Sequence, residues 1–332
     1  MGSELSQPMT DKNSEDGAFQ DKLLWSVADM QGWRCHMEDA HFVYMLSIAG
    51  QQAFMVGVFD GHGGDLVAKE AAKRIPSLMN VAMGNISDPS NATAIGVQMQ
   101  SVFMILDEEL KTLDPIQRQD DQSGCTAIVS IITPTHIITA NAGDSRGILV
   151  QGDNTVVALS EDHKPSNPGE KTRIENAGGC VTMRRVNGEL AVSRALGDYT
   201  YKNAGHVEPK DQMVTALPDI HIVERNGQEQ FLMLACDGIW DVLSNEAAGE
   251  RVQELIRGKY KGEPLSKVNE RLLDLCLKKG SRDNMTTLFV VNTNAITPGE
   301  DVKPPDVIQH EIEALNQSIG QARNANAACV KY

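Results

Sequence analysis

Four aspartates stand at the ends of apolar runs, each beside glycine or asparagine: Phe59-Asp60-Gly61-His62-Gly63-Gly64, Asn141-Ala142-Gly143-Asp144-Ser145, Ala235-Cys236-Asp237-Gly238 and Ser281-Arg282-Asp283-Asn284. Any one of them reads equally well as an ordinary turn. Carboxylates projected from several strand ends can also converge on one point, and hard divalent cations such as Mg²⁺ or Mn²⁺ take oxygen ligands while keeping some waters. Upstream, Trp33-Arg34-Cys35-His36-Met37-Glu38-Asp39 adds two adjacent acids behind an arginine. An arginine fork clamps phosphate bidentately, and the competing reading is a salt bridge to Glu38 or another acid.

These residues need a scaffold. Strand-length apolar runs recur at 24–28, 42–48, 54–59, 126–132, 137–142, 147–150 and 156–159, with two more at 231–236 and 286–292. Between the third and fourth runs, Ile95, Met99, Val102, Phe103, Leu106 and Leu110 recur at helical spacing. A second helix is expected from Gly64 to about Arg74, ended by Pro76, and further helices near 239–256 and 265–278. Strands and helices come in blocks, which favours layered sheets with helices outside over a doubly wound parallel sheet. Residues 162–205, rich in Gly, Asn and charge, read as an ordered flap. Residues 1–20 are polar and aperiodic and read as a disordered leader, so the catalytic domain is expected over 21–297. After it, 298–332 reads as a linker, a helix with Ile308, Ile312, Leu315 and Ile319 on one face, and a frayed tail.

Composition narrows the class. The 332 residues carry 30 Lys+Arg against 45 Asp+Glu, a formal net charge of −15, which would repel a nucleic-acid backbone. Cys35, Cys125, Cys180, Cys236, Cys276 and Cys329 lack the paired spacing of a zinc module or redox dithiol. No apolar run approaches the roughly 20 residues of a membrane span, and no signal-peptide core is visible. The expected location is the cytoplasm, with the nucleus and the membrane periphery as further sites, and the expected state is monomeric. Met1, Gly2 and Ser6 fit the N-myristoylation pattern, though one acyl chain without basic neighbours gives only weak membrane contact.

Taken together, the blocks GWRCHMEDAH, VFDGHGG, SGCTA, NAGDSR, EDHKP, RIENAGG, VNGELAVSRALGD, LPDI, ACDGIWDVLSNE and GSRDNMT, in that order from about Leu24 to Val291, resemble the metal-dependent serine/threonine protein phosphatases of the type 2C class. The departures are mild: Ala247 where the ninth block usually ends in an acid, Cys125 where Ser or Ala is common, and Cys35 and His36 between the arginine and the acids. The resemblance implies an α+β fold, a β-sandwich of two antiparallel sheets flanked by helices on both outer faces, four layers in all. It implies that Asp60 bridges two divalent cations, Mg²⁺ or Mn²⁺, and that the Gly61 carbonyl completes one of them. Asp237 and Asp283 would hold the other, Glu38 and Asp39 would hold waters around the pair, and Asp144 with Asp237 would form a weaker third metal site.

The implied reaction is removal of phosphate from phosphoserine and phosphothreonine in phosphoprotein partners by direct attack of a water activated between the cations. Arg34 would grip the phosphate and His62 would protonate the departing oxygen. A turn histidine satisfied by backbone is the competing reading of His62. Thr126 and Asn284 would orient waters or carboxylates, and Asp241, four residues after Asp237, could face the same site. Neither Cys125 nor Cys236 begins a CxxxxxR loop, so a cysteine-phosphatase mechanism is not indicated. Cys35 and Cys125 raise the idea of oxidative or heavy-metal sensitivity against the reading of two inert buried thiols. An inactive docking module of the same fold would normally have lost an Asp or the Arg, and none is lost. A metal-dependent phosphatase acting on a small phosphoester stays open.

Overall fold

The computed structural model describes residues 4–19, 23–257 and 263–293. Two antiparallel sheets face each other. In the first the order is Glu4–Phe19, Leu23–Arg34, Met285–Asn292, Phe231–Ala235, Arg146–Val150 and Val156–Ala158; in the second it is Asp219–Glu224, His136–Ala142, Ala127–Ile132, Gln51–Phe59 and Ala40–Ile48.

The inner strands are buried on both faces, and their period of two divides the core. In Gln51–Phe59, Phe54, Val56 and Val58 turn inward against Ile128, Leu149, Leu232, Leu234, Leu288 and Val290. Ala53, Met55 and Phe59 turn outward against the helices Leu66–Met83 and Ala92–Leu110. The outer face of the first sheet, including Met233, Phe289 and Val291, packs on the helices Asn245–Arg257 and Leu265–Lys278. The result is the expected helix–sheet–sheet–helix sandwich.

Several expectations are corrected. Residues 4–19 form an edge strand paired antiparallel with Leu23–Arg34, in place of a disordered leader. Backbone pairing holds this strand, and of its side chains Phe19 alone is buried, so no apolar period announces it. Gly17 stands opposite Trp25, where a Cβ would lie 2.3 Å from the indole. The helix that was to end at Pro76 runs on to Met83. Proline removes one backbone donor there, but the flanking Ile75, Met79 and Met83 are fully buried, and that packing outweighs the loss. The helix expected over 239–256 is two helices, Asp237–Trp240 and Asn245–Arg257, because Ser244 Oγ accepts the Ala247 N–H at 3.2 Å and starts a new one. Gly2 and the expected C-terminal helix lie outside the described residues. No helix among the described residues is long and apolar enough to cross a membrane.

Candidate metal centre

Antiparallel pairing gathers the acidic corners. Ala40 pairs with Phe59, Ala127 with Ala142, Ala235 with both Arg146 and Thr287, and Met285 with Met30. Where one strand ends its neighbour begins, so Arg34, Asp39, Asp60, Asp144, Asp237 and Asp283 all emerge at one end of the sandwich.

Two groups of potential ligand atoms result, each with its members within 4.8 Å of one another: Asp60, Asp144 and Asp237, and Asp39, Asp60 and Cys236. Asp60 belongs to both. Glu38 and Asp283 fall outside these two groups. Asp283 Oδ1 accepts the Asn284 N–H at 2.8 Å, and its Oδ2 is 2.5 Å from Arg34 Nη2. The arginine thus lies within the acidic cluster: burial opposes its charge, but Asp283, Asp237 and Asp60 raise its pKa overall. Of the two readings of Arg34, the salt bridge to another acid, Asp283, is the one seen here.

The cluster is electrostatically unsatisfied. Burial, then repulsion from Asp237, Asp39, Asp144 and Asp283, pushes the Asp60 carboxyl well above the usual range. Burial, then Asp144, Asp283 and Asp241, does the same to Asp237. Asp39 is raised to about 7, chiefly by burial; its Oδ2 accepts the Thr286 hydroxyl at 2.6 Å, and its buried Oδ1 has no hydrogen-bond partner. Carboxylates packed this closely could hold a cation, and an all-oxygen set around Asp60, Asp144 and Asp237 fits a hard divalent ion. Lys164, from the EDHKP block, currently neutralises part of this charge by donating its ammonium to Asp144 Oδ2. Asp241 stands exposed just after the Asp237–Trp240 turn, its pKa raised by burial and by Asp144 and Asp283, so it senses the cluster from the rim.

Thr126 and Asn284 make hydrogen bonds around the acidic residues. Thr126 donates its N–H to the Asp60 carbonyl at 2.9 Å and shares a 2.7 Å hydroxyl contact with Ser145, so it ties Asp60 to the turn bearing Asp144. Asn284 receives the Glu38 N–H at 3.0 Å and donates to the Gln31 and His36 carbonyls, both at 2.9 Å, fastening the loop that carries Arg34 and Glu38. Gly61 must be glycine, since a Cβ would lie 2.3 Å from the Glu38 carbonyl oxygen.

Three contacts were not foreseen. His62 Nε2 lies 2.7 Å from Asp198 Oδ2, so the turn-histidine reading, with backbone as its partner, does not describe it. Burial alone would lower the His62 pKa, but Asp198, then Asp144 and Glu38, raises it overall. A small sheet makes the meeting: His62 pairs with Gly124 and Gly124 with Gly197, and a Cβ on Gly124 would sit 2.3 Å from the Asp198 carboxylate. Asp198 closes the VNGELAVSRALGD block, which is the one signal that could have found it. Second, His163 Nδ1 accepts the Gly143 N–H at 3.1 Å while Nε2 faces Asp219 at 3.0 Å, holding the turn before Asp144. Third, the thiol among the acids is Cys236. Cys125 is fully buried, with its pKa pushed well up by burial, and belongs to the small sheet.

The sequence profile described as PP2C: Protein phosphatase 2C matches residues 24–285. Protein phosphatase 1A of Bos taurus is 38% identical over 328 residues, spanning 96% of this chain and 84% of that protein. Protein phosphatase 1B of Mus musculus is 36% identical over 330 residues, spanning 97% and 83%. Among solved structures, a phosphatase from a pathogenic strain of Toxoplasma gondii superposes with a TM-score of 0.71 at 25% identity, covering 86% of this chain and 96% of the other.

Proposed function

The chain belongs to the protein phosphatase 2C family of metal-dependent serine/threonine protein phosphatases, and from that premise we propose that it hydrolyses phosphoserine and phosphothreonine by direct attack of a water held between two divalent cations, Mg²⁺ or Mn²⁺. The observation that carries this reading is Asp60, the carboxylate common to both groups of ligand atoms. Bound cations would supply water acidified to near neutrality and charge to neutralise the phosphoryl oxygens.

The chain's own residues do the rest. Asp60, Asp144 and Asp237 would hold one cation, and Asp39, Glu38 and Asp283 would border a second. The Arg34 guanidinium, paired here with Asp283, would bind the substrate phosphate, a task its fixed fork suits. His62, whose pKa Asp198 raises against the effect of burial, gives a proton to the departing seryl or threonyl oxygen. Thr126 and Asn284 keep Asp60 and the 31–38 loop in register, so that attack and proton donation occur from fixed positions.

The test is hydrolysis of a phosphothreonine peptide and of p-nitrophenyl phosphate, with Mn²⁺ or Mg²⁺ and after thorough chelation. Activity is expected on both substrates with metal, none after chelation, and none from Asp60→Asn with either ion. Turnover by Asp60→Asn at the wild-type rate would overturn the assignment.

A further inference from the structure

Gly197 and Asp198 both have left-handed backbone, with φ of 76° and 53°, and Asp198 is the residue whose carboxylate meets His62. An aspartate held at positive φ needs surrounding structure that fixes it there. Asp107, near the end of the Ala92–Leu110 helix, grips the chain on both sides of this turn. Its Oδ1 accepts the Gly197 N–H at 2.8 Å, and its two carboxylate oxygens accept from Lys202 Nζ at 2.8 and 2.7 Å. Lys202 also donates to the Ala195 carbonyl at 2.8 Å, so all three ammonium hydrogens are committed. The Tyr199 hydroxyl adds a bond to the Asp107 carbonyl at 2.6 Å. Both side chains of the ion pair are buried.

From these contacts we infer that Asp107 and Lys202 are positioning residues: the buried pair sets the Gly197–Asp198 turn, and through it the place of the His62 imidazole beside the leaving oxygen. The inference rests on the reading of His62 as the proton donor. A buried ion pair adds little net stability over an apolar pair of similar volume, because each charge gives up its water. Its directional bonds instead select one arrangement of the chain they grip. Here those bonds end on Ala195, Gly197 and Lys202, the residues that bracket Asp198. An apolar substitute could hold the helix in place and still leave the turn free to shift. Proton donation is sensitive to such a shift, since a misplacement of about 1 Å can cost on the order of a hundredfold in rate.

The test uses the full chain with Mn²⁺ and the double variant Asp107→Ala with Lys202→Met, which removes both charges without stranding either. In protein carrying ¹⁵N-labelled histidine, the His62 ring signals are identified by their loss in His62→Gln. In the double variant they should move to the positions seen in Asp198→Asn, which breaks the contact directly. The ring signals of His163, held by Gly143 and Asp219, should stay in place and so report an intact fold. Turnover of a phosphothreonine peptide should fall at least about tenfold while that of p-nitrophenyl phosphate stays within about threefold. On the His62→Gln background the same two substitutions should add no further peptide-selective loss. Asp107→Asn, which keeps the side-chain shape, should give the same pattern in smaller degree and replaces the double variant if that does not fold. Unmoved His62 signals in a folded variant, or undiminished peptide turnover, overturn the inference. Where His62→Gln is selective, an equal loss on both substrates in the pair variant overturns it too. Equal losses in His62→Gln itself would remove the acid reading instead, and the ring signals alone then decide whether the pair places His62.

Discussion

Glu170 is the clearest place to test how the Pro168–Asn176 helix is held to its neighbours. It lies in the first turn of the Pro168–Asn176 helix with its side chain 8% exposed. Its Oε2 accepts from Arg173 Nη1 at 2.7 Å and the Ser193 hydroxyl at 2.6 Å, and its Oε1 accepts from Arg194 Nη2 at 2.8 Å. Those arginines continue outward to the carbonyls of Gln212, Ser193 and Leu217 and to Asp219, so one carboxylate joins the Pro168–Asn176 helix to residues 193–194 and 212–219. Burial alone would raise the Glu170 pKa, but Arg194, Arg173 and Ser193 together bring it from 4.5 to about 2.

A shift of that size corresponds to about 3 kcal/mol at neutral pH, in line with the roughly 3–5 kcal/mol lost when one partner leaves a buried pair. The folded-state pKa is depressed, so this stability is fully present above the unfolded value near 4.5 and is lost as pH falls toward about 2. Glu170→Gln keeps the shape and removes the charge, leaving Arg173 without this carboxylate and Arg194 with only the exposed Asp219. Hydrogen exchange at pH 7 should then speed up by about a hundredfold for flap amides such as Ala177 and Gly179. Amides of the Gln51–Phe59 strand should keep their protection. Flap exchange within threefold of wild type would refute the reasoning, as would an equal loss of protection throughout the sandwich.

Two further outcomes follow from the site. His62→Gln should lower kcat on phosphothreonine peptides by about 10²–10⁴ and spare p-nitrophenyl phosphate, whose leaving group needs no proton; equal losses on the two substrates would remove His62 from the acid role. Gly238→Ala would place a Cβ 2.0 Å from the Asn284 carbonyl oxygen and should cost about 1–3 kcal/mol in denaturant unfolding while weakening Mn²⁺ binding, through the displaced Asp237 and Asp283.

What local order fixes was legible in the sequence. The strand-length apolar runs 54–59 and 286–292 and the helical spacing of Ile95 to Leu110 each depend on near neighbours, and these elements appear where expected. The aspartates at strand ends beside glycine also marked the centre, because an acid at a corner is a local pattern and the ten ordered blocks gave those corners a common meaning. Tertiary structure decided which atoms meet. Asp198 reaches His62 across 136 residues and Asn284 grips Glu38 across 246, and strand pairing sets such contacts where spacing cannot reveal them. The Glu4–Phe19 strand was invisible for a related reason: an edge strand is held by backbone hydrogen bonds, which leave little mark on side-chain type. Cys236 shows the division most sharply. Its sequence position beside Asp237 was plain, but only the packing of Thr286 against both Asp39 and the thiol set the sulfur among the acids.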